Sequence, residues 1–297
     1  MTVIDFSAAD LDAAATKLSG VSMDPDKGLH DPFTRVIYQE SLDTERFQFP
    51  EELLSLYTHP IYSELTQKQK WELSLQETIN FFSINIHGER NLVQGLEERL
   101  YVPSRFGGSW SIGNYLQHFI HEENSHTHML AGYCYRYGDG VMKDTSIKIG
   151  DPALSAIGQE LLFFGRVFVF ESFLDYLNSN AMRDESLDTT VRQIHRFHHT
   201  EEARHMAFDR AVISYCVNEA KHLGIQDELN LIGELLSSFG KVALQRLYSP
   251  QVYKKIGIED ATSVAREAQK IPARIELEHA WVSRSSDFLR EAGLSIN

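Results

Sequence analysis

Apolar positions recur at intervals of three and four residues along most of the chain, and strand-like alternation is scarce, so an all-α protein is predicted. One long helical pattern runs from about Thr66 to Leu100 and stops ahead of Pro103 and Gly107-Gly108. A second spans Ser111 to about Tyr137 and is closed by Gly138-Asp139-Gly140. The third is expected to start at Asp151-Pro152, a cap followed by proline at the first helical position, and to continue to about Met182. After the short connection 183–186 a fourth runs from about Leu187 to His222. Further helices are expected over 226–248, 259–270 and 273–291, set off by Pro250 and Pro272, and a short helical piece between Pro50 and Pro60. The first 45 or so residues, with Pro25, Gly28 and Pro32, are expected to wrap the surface. No internal repeat or flexible linker divides the sequence, so residues 1–297 are expected to form a single domain. Its core, about 66–222, reads as a four-helix bundle with a long loop between the second and third helices and extra helices at both ends.

Composition narrows the possibilities. No apolar stretch approaches the length needed to span a bilayer, and the richest run, 161–170, is interrupted by Arg166 and followed by Glu171. The opening MTVIDFSAAD has neither a basic flank nor an apolar core, so no signal peptide is expected and the cytoplasm is the expected location. Cys134 and Cys216 have no CxxC or CxxH spacing, against a disulfide framework, a zinc knuckle or an iron–sulfur cluster. A net charge of −14 would repel nucleic acid and anionic membrane. Histidine is the unusual component, clustered in 118–128 and 195–205.

Tracing the inward stripe of each long helix shows what those histidines accompany. The first gives Leu75, Ile79, Phe82, Ile86, Glu89, Val93, Leu96 and Leu100; the second Tyr115, Phe119, Glu123, His126, Leu130, Tyr133 and Tyr137. The third gives Ala156, Glu160, Phe164, Val167, Glu171, Leu174 and Asn178; the fourth Val191, Ile194, His198, Glu202, His205, Asp209, Val212 and Cys216. A lone ionised glutamate on a buried face costs several kcal/mol unless it is paired or bound to metal. Here all four stripes carry such groups near the helix middle. One shared metal centre accounts for them together: a Glu from each of two helices, and a Glu-x-x-His from each of the other two, the arrangement of di-iron carboxylate bundles. Adjacent divalent cations need bridging anionic oxygens to offset their charge, neutral imidazole donors, and open positions for dioxygen. Of the adjacent Glu122 and Glu123, the latter shares a face with Phe119 and Leu130 and is taken as the inward one. Glu160 suits a supporting group or a salt bridge. His87, His118, His121, His128, His195 and His199 fall mostly on other faces, as surface or packing residues. His198, four residues before Glu202, is placed to be a third nitrogen ligand.

With the segment His198-His199-Thr200-Glu201-Glu202-Ala203-Arg204-His205, Glu123-x-x-His126, and Glu89 and Glu171 at compatible spacings, the chain resembles the p-aminobenzoate N-oxygenase family over roughly residues 70–220. The resemblance implies a ferritin-like fold holding two Fe ions that react with O2 to oxidise a small-molecule amine to hydroxylamine, nitroso or nitro. It implies Glu89, Glu123 and His126 as ligands of one iron and His198, Glu171 and His205 of the other, with Glu202 and Glu123 bridging. Two electrons would come from a reductase. The amine, aryl or aliphatic, free or carried on a carrier protein, would lie as a free base beside Phe82, Phe119, Phe164 and Val167 in a secondary-metabolic reaction. A homodimer is the expected assembly. Asp209 is a candidate acceptor for the His205 ring. Arg246, Arg266, Arg274 and Arg284 are candidate substrate anchors for which surface solvation is the plainer role. Manganese in the same ligands, oxidation of carbon instead of nitrogen, a ferritin-type ferroxidase and a radical-storing reductase subunit using Tyr115, Tyr133 or Tyr176 are the competing readings.

Overall fold

The computed structural model describes residues 6–26, 33–102, 109–143, 147 and 149–296, and among them there are helices and no strands. Four long helices carry the architecture: α3 (Gln67–Glu97), α4 (Trp110–Tyr137), α5 (Ala156–Ala181) and α6 (Thr189–His222). Around them lie α1 (Ala8–Ser22), the short α2 (Ile61–Glu64), α7 (Gln226–Gln245), α8 (Pro250–Lys255), α9 (Ala261–Ala268) and α10 (Pro272–Ala292).

Side-chain caps set the starts of the long helices. Thr66 and Gln69 form a reciprocal capping box at α3, and Ser109, Ser155 and Asp188 accept from the first free amides of α4, α5 and α6. The expected start of the third helix at Asp151-Pro152 is corrected. Asp151 closes a turn by accepting from the Ala153 amide, and the helix begins at Ala156 behind Ser155, whose amide and hydroxyl are held by Glu228. The N-terminal segment holds one of the expected extra helices. It includes α1, which packs on α4 and α6 through Leu11, Ala15, Ser19 and Ser22, a stripe too small and polar to stand out as an apolar face.

Two apolar clusters fill the bundle, and their membership gives the topology. One joins the beginning of α3, the end of α4, the end of α5 and the beginning of α6; the other joins the opposite ends. Helices α4 and α5 therefore run parallel, which is the topology of ferritin-like folds with one long crossover. Two glycines of α3 let α5 side chains approach its backbone: a Cβ on Gly88 would lie 2.3 Å from the Phe170 ring, and one on Gly95 2.2 Å from Phe163. Between the two apolar clusters lies a polar layer in the middle of all four helices.

Candidate metal centre

Glu89 of α3, Glu123 and His126 of α4, Glu171 of α5, and His198, Glu202 and His205 of α6 are all buried, none more than 4% exposed. They converge in two groups, each with one donor atom per residue within 4.8 Å of the others. The first is Glu89, His126, His198 and Glu202; the second is Glu123, Glu171, Glu202 and His205. Glu202 belongs to both. Its Oε1 lies 2.7 Å from His198 Nε2, while its Oε2 lies 3.3 Å from His205 Nδ1. Glu123 also faces both ways, with Oε1 2.8 Å from His205 Nδ1 and Oε2 3.6 Å from His126 Nδ1. These are two adjacent carboxylate–histidine sites, consistent with a dinuclear metal centre.

The division between the ions differs from the one the resemblance implied. His198 was expected beside Glu171 and His205. Its Nε2 instead lies 3.3 Å from Glu89 Oε1, its ring is edge-on to His126 at 4.4 Å, and it joins the Glu89 group. The physical reason is helical rise: His198 is seven residues, about 10 Å, before His205, so it sits one level along the bundle from it.

Burial makes this arrangement costly without cations. Both oxygens of Glu89, Glu123 and Glu171, together with His126 Nδ1 and His198 Nε2, lack hydrogen-bond partners. Acceptor oxygens and inward nitrogens thus meet with nothing between them, which is the environment a cation pair fits. Two divalent ions would balance four carboxylates and leave the imidazoles neutral. In the bare protein the cluster recruits protons instead. Burial pushes Glu89 up to about 6. For His198 burial acts downward, but the Glu202 and Glu89 carboxylates prevail and raise it to about 9.

A set of supporting contacts was not legible as such in the sequence. His126 Nε2 donates to Glu201 at 2.8 Å, and Glu201 in turn accepts two hydrogen bonds from Arg35, at 2.6 and 3.0 Å. His205 Nε2 donates to Glu122 at 2.8 Å, and Glu122 pairs with Arg204 at 2.8 Å. Burial alone would raise Glu122, but the His205 and Arg204 charges bring it down to about 2. The bracing is reciprocal: the first glutamate of each Glu-Glu-x-x-His segment holds the histidine of the other helix. A proton on Nε2 leaves the Nδ1 lone pair for metal in both rings. His198 faces inward through Nε2, and the Asn178 amide, 3.1 Å from its Nδ1 and 2.7 Å from His195 Nδ1, ties the two rings together. The doubled glutamate in both motifs was the available signal.

Other expectations sort differently. Asp209 does not receive His205: that ring is committed to Glu122, and the buried Asp209 oxygens have no hydrogen-bond partner. Glu160, eleven residues from Glu171, forms a buried pair with Arg99 at 2.6 Å. Phe82, Phe119 and Phe164 are fully buried, Phe119 stacked on His205 at 3.9 Å, while Val167 lines a cavity. Arg274, instead of being solvated, is buried and donates to the Leu53 and Leu54 carbonyls and the Tyr248 hydroxyl. Arg266 and Arg284 are exposed. Tyr133 donates to Gln48, and Tyr176 packs on Trp281.

Among solved structures, an R2-like ligand-binding oxidase with an aerobically reconstituted Mn/Fe cofactor shares 16% identity, with a TM-score of 0.53 over 95% of this chain and 92% of that one. A variant of that oxidase with the cofactor reconstituted anaerobically gives 16% identity and a TM-score of 0.54 over 95% and 93%. This likeness establishes the ferritin-like fold. No curated protein sequence matches the chain. The family model for p-aminobenzoate N-oxygenase AurF matches residues 8–293. That span takes in every helix from α1 to α10, and its di-metal chemistry agrees with the buried donors, so the chain belongs to the p-aminobenzoate N-oxygenase family of oxidoreductases.

Proposed function

We propose that this protein is an O2-dependent di-iron N-oxygenase that oxidises the amine of a small molecule. The ligands in this reading are Glu89, Glu123, His126, Glu171, His198, Glu202 and His205, with Glu202 and Glu123 bridging. The observation that carries it is the third imidazole: His198 adds a neutral donor to the Glu89–His126–Glu202 group, within 2.7 Å of the bridging carboxylate. When bound, the metal pair supplies two-electron activation of dioxygen, replenished by an external reductase.

The protein's own side chains do the rest. Glu122 and Glu201 hold the Nε2 protons of His205 and His126, which fixes the tautomer and aims each Nδ1 inward. The apolar clusters on either side exclude water. A cavity of about 320 Å³ between α3 and α5 includes Leu92, one turn from Glu89, and Val167, one turn before Glu171. Its apolar wall favours an amine in its neutral form, with the nitrogen lone pair available.

Protein isolated with its native metal should contain two iron ions per chain. Once reduced, mixed with oxygen and offered candidate amines, it should release N-oxidised products. Substrate hydroxylated on carbon with its nitrogen untouched would replace this reading with carbon oxidation, and a Mn/Fe content would revise the cofactor.

A further inference from the structure

Two of the three inward imidazoles are backed by carboxylates, and the third is backed by an amide. His126 and His205 hand their Nε2 protons to Glu201 and Glu122 and turn Nδ1 inward. His198 is reversed: its Nε2 faces Glu89 and Glu202, and its Nδ1 lies 3.1 Å from the Asn178 amide of α5. The other end of that amide lies 2.7 Å from the Nδ1 of His195, one turn earlier on α6. Asn178, His195 and His198 are all buried, none more than 1% exposed. The His195 ring packs against Phe81 and Phe82, with 5.8 and 5.4 Å between centroids, and among the described residues its Nε2 has no hydrogen-bond partner.

A ring that gives Nε2 to a cation carries its proton on Nδ1, and that proton needs an acceptor. An amide has one accepting and one donating end, alike in shape and told apart by what they bond. With Nδ2 toward His198 and Oδ1 toward His195, the His198 proton would have to sit on Nε2, on the lone pair a cation needs. We propose that Asn178 is the positioning residue for His198, with its amide the other way round in the metal-loaded protein: Oδ1 accepts from His198 Nδ1, and Nδ2 donates to His195 Nδ1. His195 then carries its proton on Nε2, beside Phe81 and Phe82, whose electron-rich faces suit an N–H better than a bare lone pair. Because its acceptor is a neutral amide, His198 is a weaker nitrogen donor than the two carboxylate-backed imidazoles. This role presupposes a cation at His198 Nε2 and holds whichever substrate is oxidised.

The test is nitrogen NMR of the whole chain with labelled histidine, loaded with zinc because that ion is diamagnetic. Metal-bound, protonated and bare ring nitrogens give separate signals. The parent should show His198 protonated on Nδ1 and His195 protonated on Nε2. Asn178→Asp, whose carboxylate can only accept, should move the His195 proton to Nδ1 and leave His198 unchanged. In competitive zinc titration Asn178→Leu, close to Asn in size, should weaken the Glu89–His126–His198–Glu202 group by about 10- to 100-fold, while Asn178→Asp binds at least as tightly as the parent. A residue that only filled space would give the reverse order, with Leu the milder change and the buried Asp charge the harsher. That order, or a His195 proton on Nδ1 in the loaded parent, overturns the proposal. Zinc taken up away from His198, or not at all, would instead sink the metal reading beneath it. Neither readout involves oxygen or an amine, so the outcome stands apart from that of the N-oxidation assay.

Discussion

Glutamate 201 shows how much of a metal site lies one residue away from its ligands. A step of one residue turns about 100° around a helix, so Glu202 faces the bundle axis while Glu201 accepts from His126 of α4 and from Arg35 of the N-terminal segment. Replacing it with Gln keeps the shape and removes the charge. His126 then loses the partner that fixes its tautomer, and Arg35 is left buried without its anion. Glu201→Gln should weaken metal binding at the Glu89–His126–His198–Glu202 group by about 10- to 100-fold while sparing the other group more, as read by competitive metal titration. Equal weakening of both groups would show that the bracing acts on the bundle as a whole instead of on one ring. At this scale the inward-facing donors were legible because i, i+3 and i+4 neighbours share a face whatever surrounds the helix. The bracing was not, because Arg35 and Glu201 stand 166 residues apart.

Helix α3 joins the metal layer to the C-terminal helices through a second buried carboxylate. Glu77, three turns before Glu89, accepts from the Ser55 amide at 2.9 Å, and the Ser55 hydroxyl meets that of Tyr253 in α8 at 2.6 Å. Burial raises Glu77 to about 7, against the opposing pull of the Ser55 hydrogen bonds and Arg274. Its folded pKa therefore lies above its unfolded value. Between about pH 4.5 and 7 the native state holds a proton that the unfolded chain has released, so this group costs stability as pH rises through that window. Glu77→Gln should flatten the decline and leave the variant more stable than the parent at pH 8, as measured by urea denaturation of metal-free samples across pH 5–8. A parent that gains stability from pH 5 to 7, with the variant unchanged, would contradict it. The extents of α3, α4 and α6 match their sequence pattern within a few residues, because periodicity and caps are local signals. The start of α5 does not, because Ser155 is anchored from another helix by Glu228.

At the scale of the molecule, the polar layer sits between two apolar clusters that cannot relax around it. Removing metal leaves carboxylates and imidazoles in mutual contact, so chelation should lower the melting temperature, on the order of ten degrees if metal is normally present far above its dissociation constant. The loss should depend on pH. In the bare protein, protonated His198 stands in for a cation. Its pKa, raised to about 9 by Glu202 and Glu89 against the effect of burial, makes that contribution full below about pH 6.5 and lost as pH rises toward 9. Calorimetric melts of chelated and loaded protein should therefore diverge further at pH 9 than at pH 6.5; a constant gap would mean that the imidazoles do not substitute for metal.

By itself the sequence determined the helices and the seven inward side chains, since both follow from a period that neighbours along the chain enforce. It also carried enough of the family pattern to imply the di-metal chemistry. Only the tertiary structure decided which histidine joins which carboxylates, which glutamates and arginines brace them, and where a cavity opens between α3 and α5. Those depend on the rotation and level of one helix against another, and on contacts between residues far apart in the chain, which no local repeat encodes.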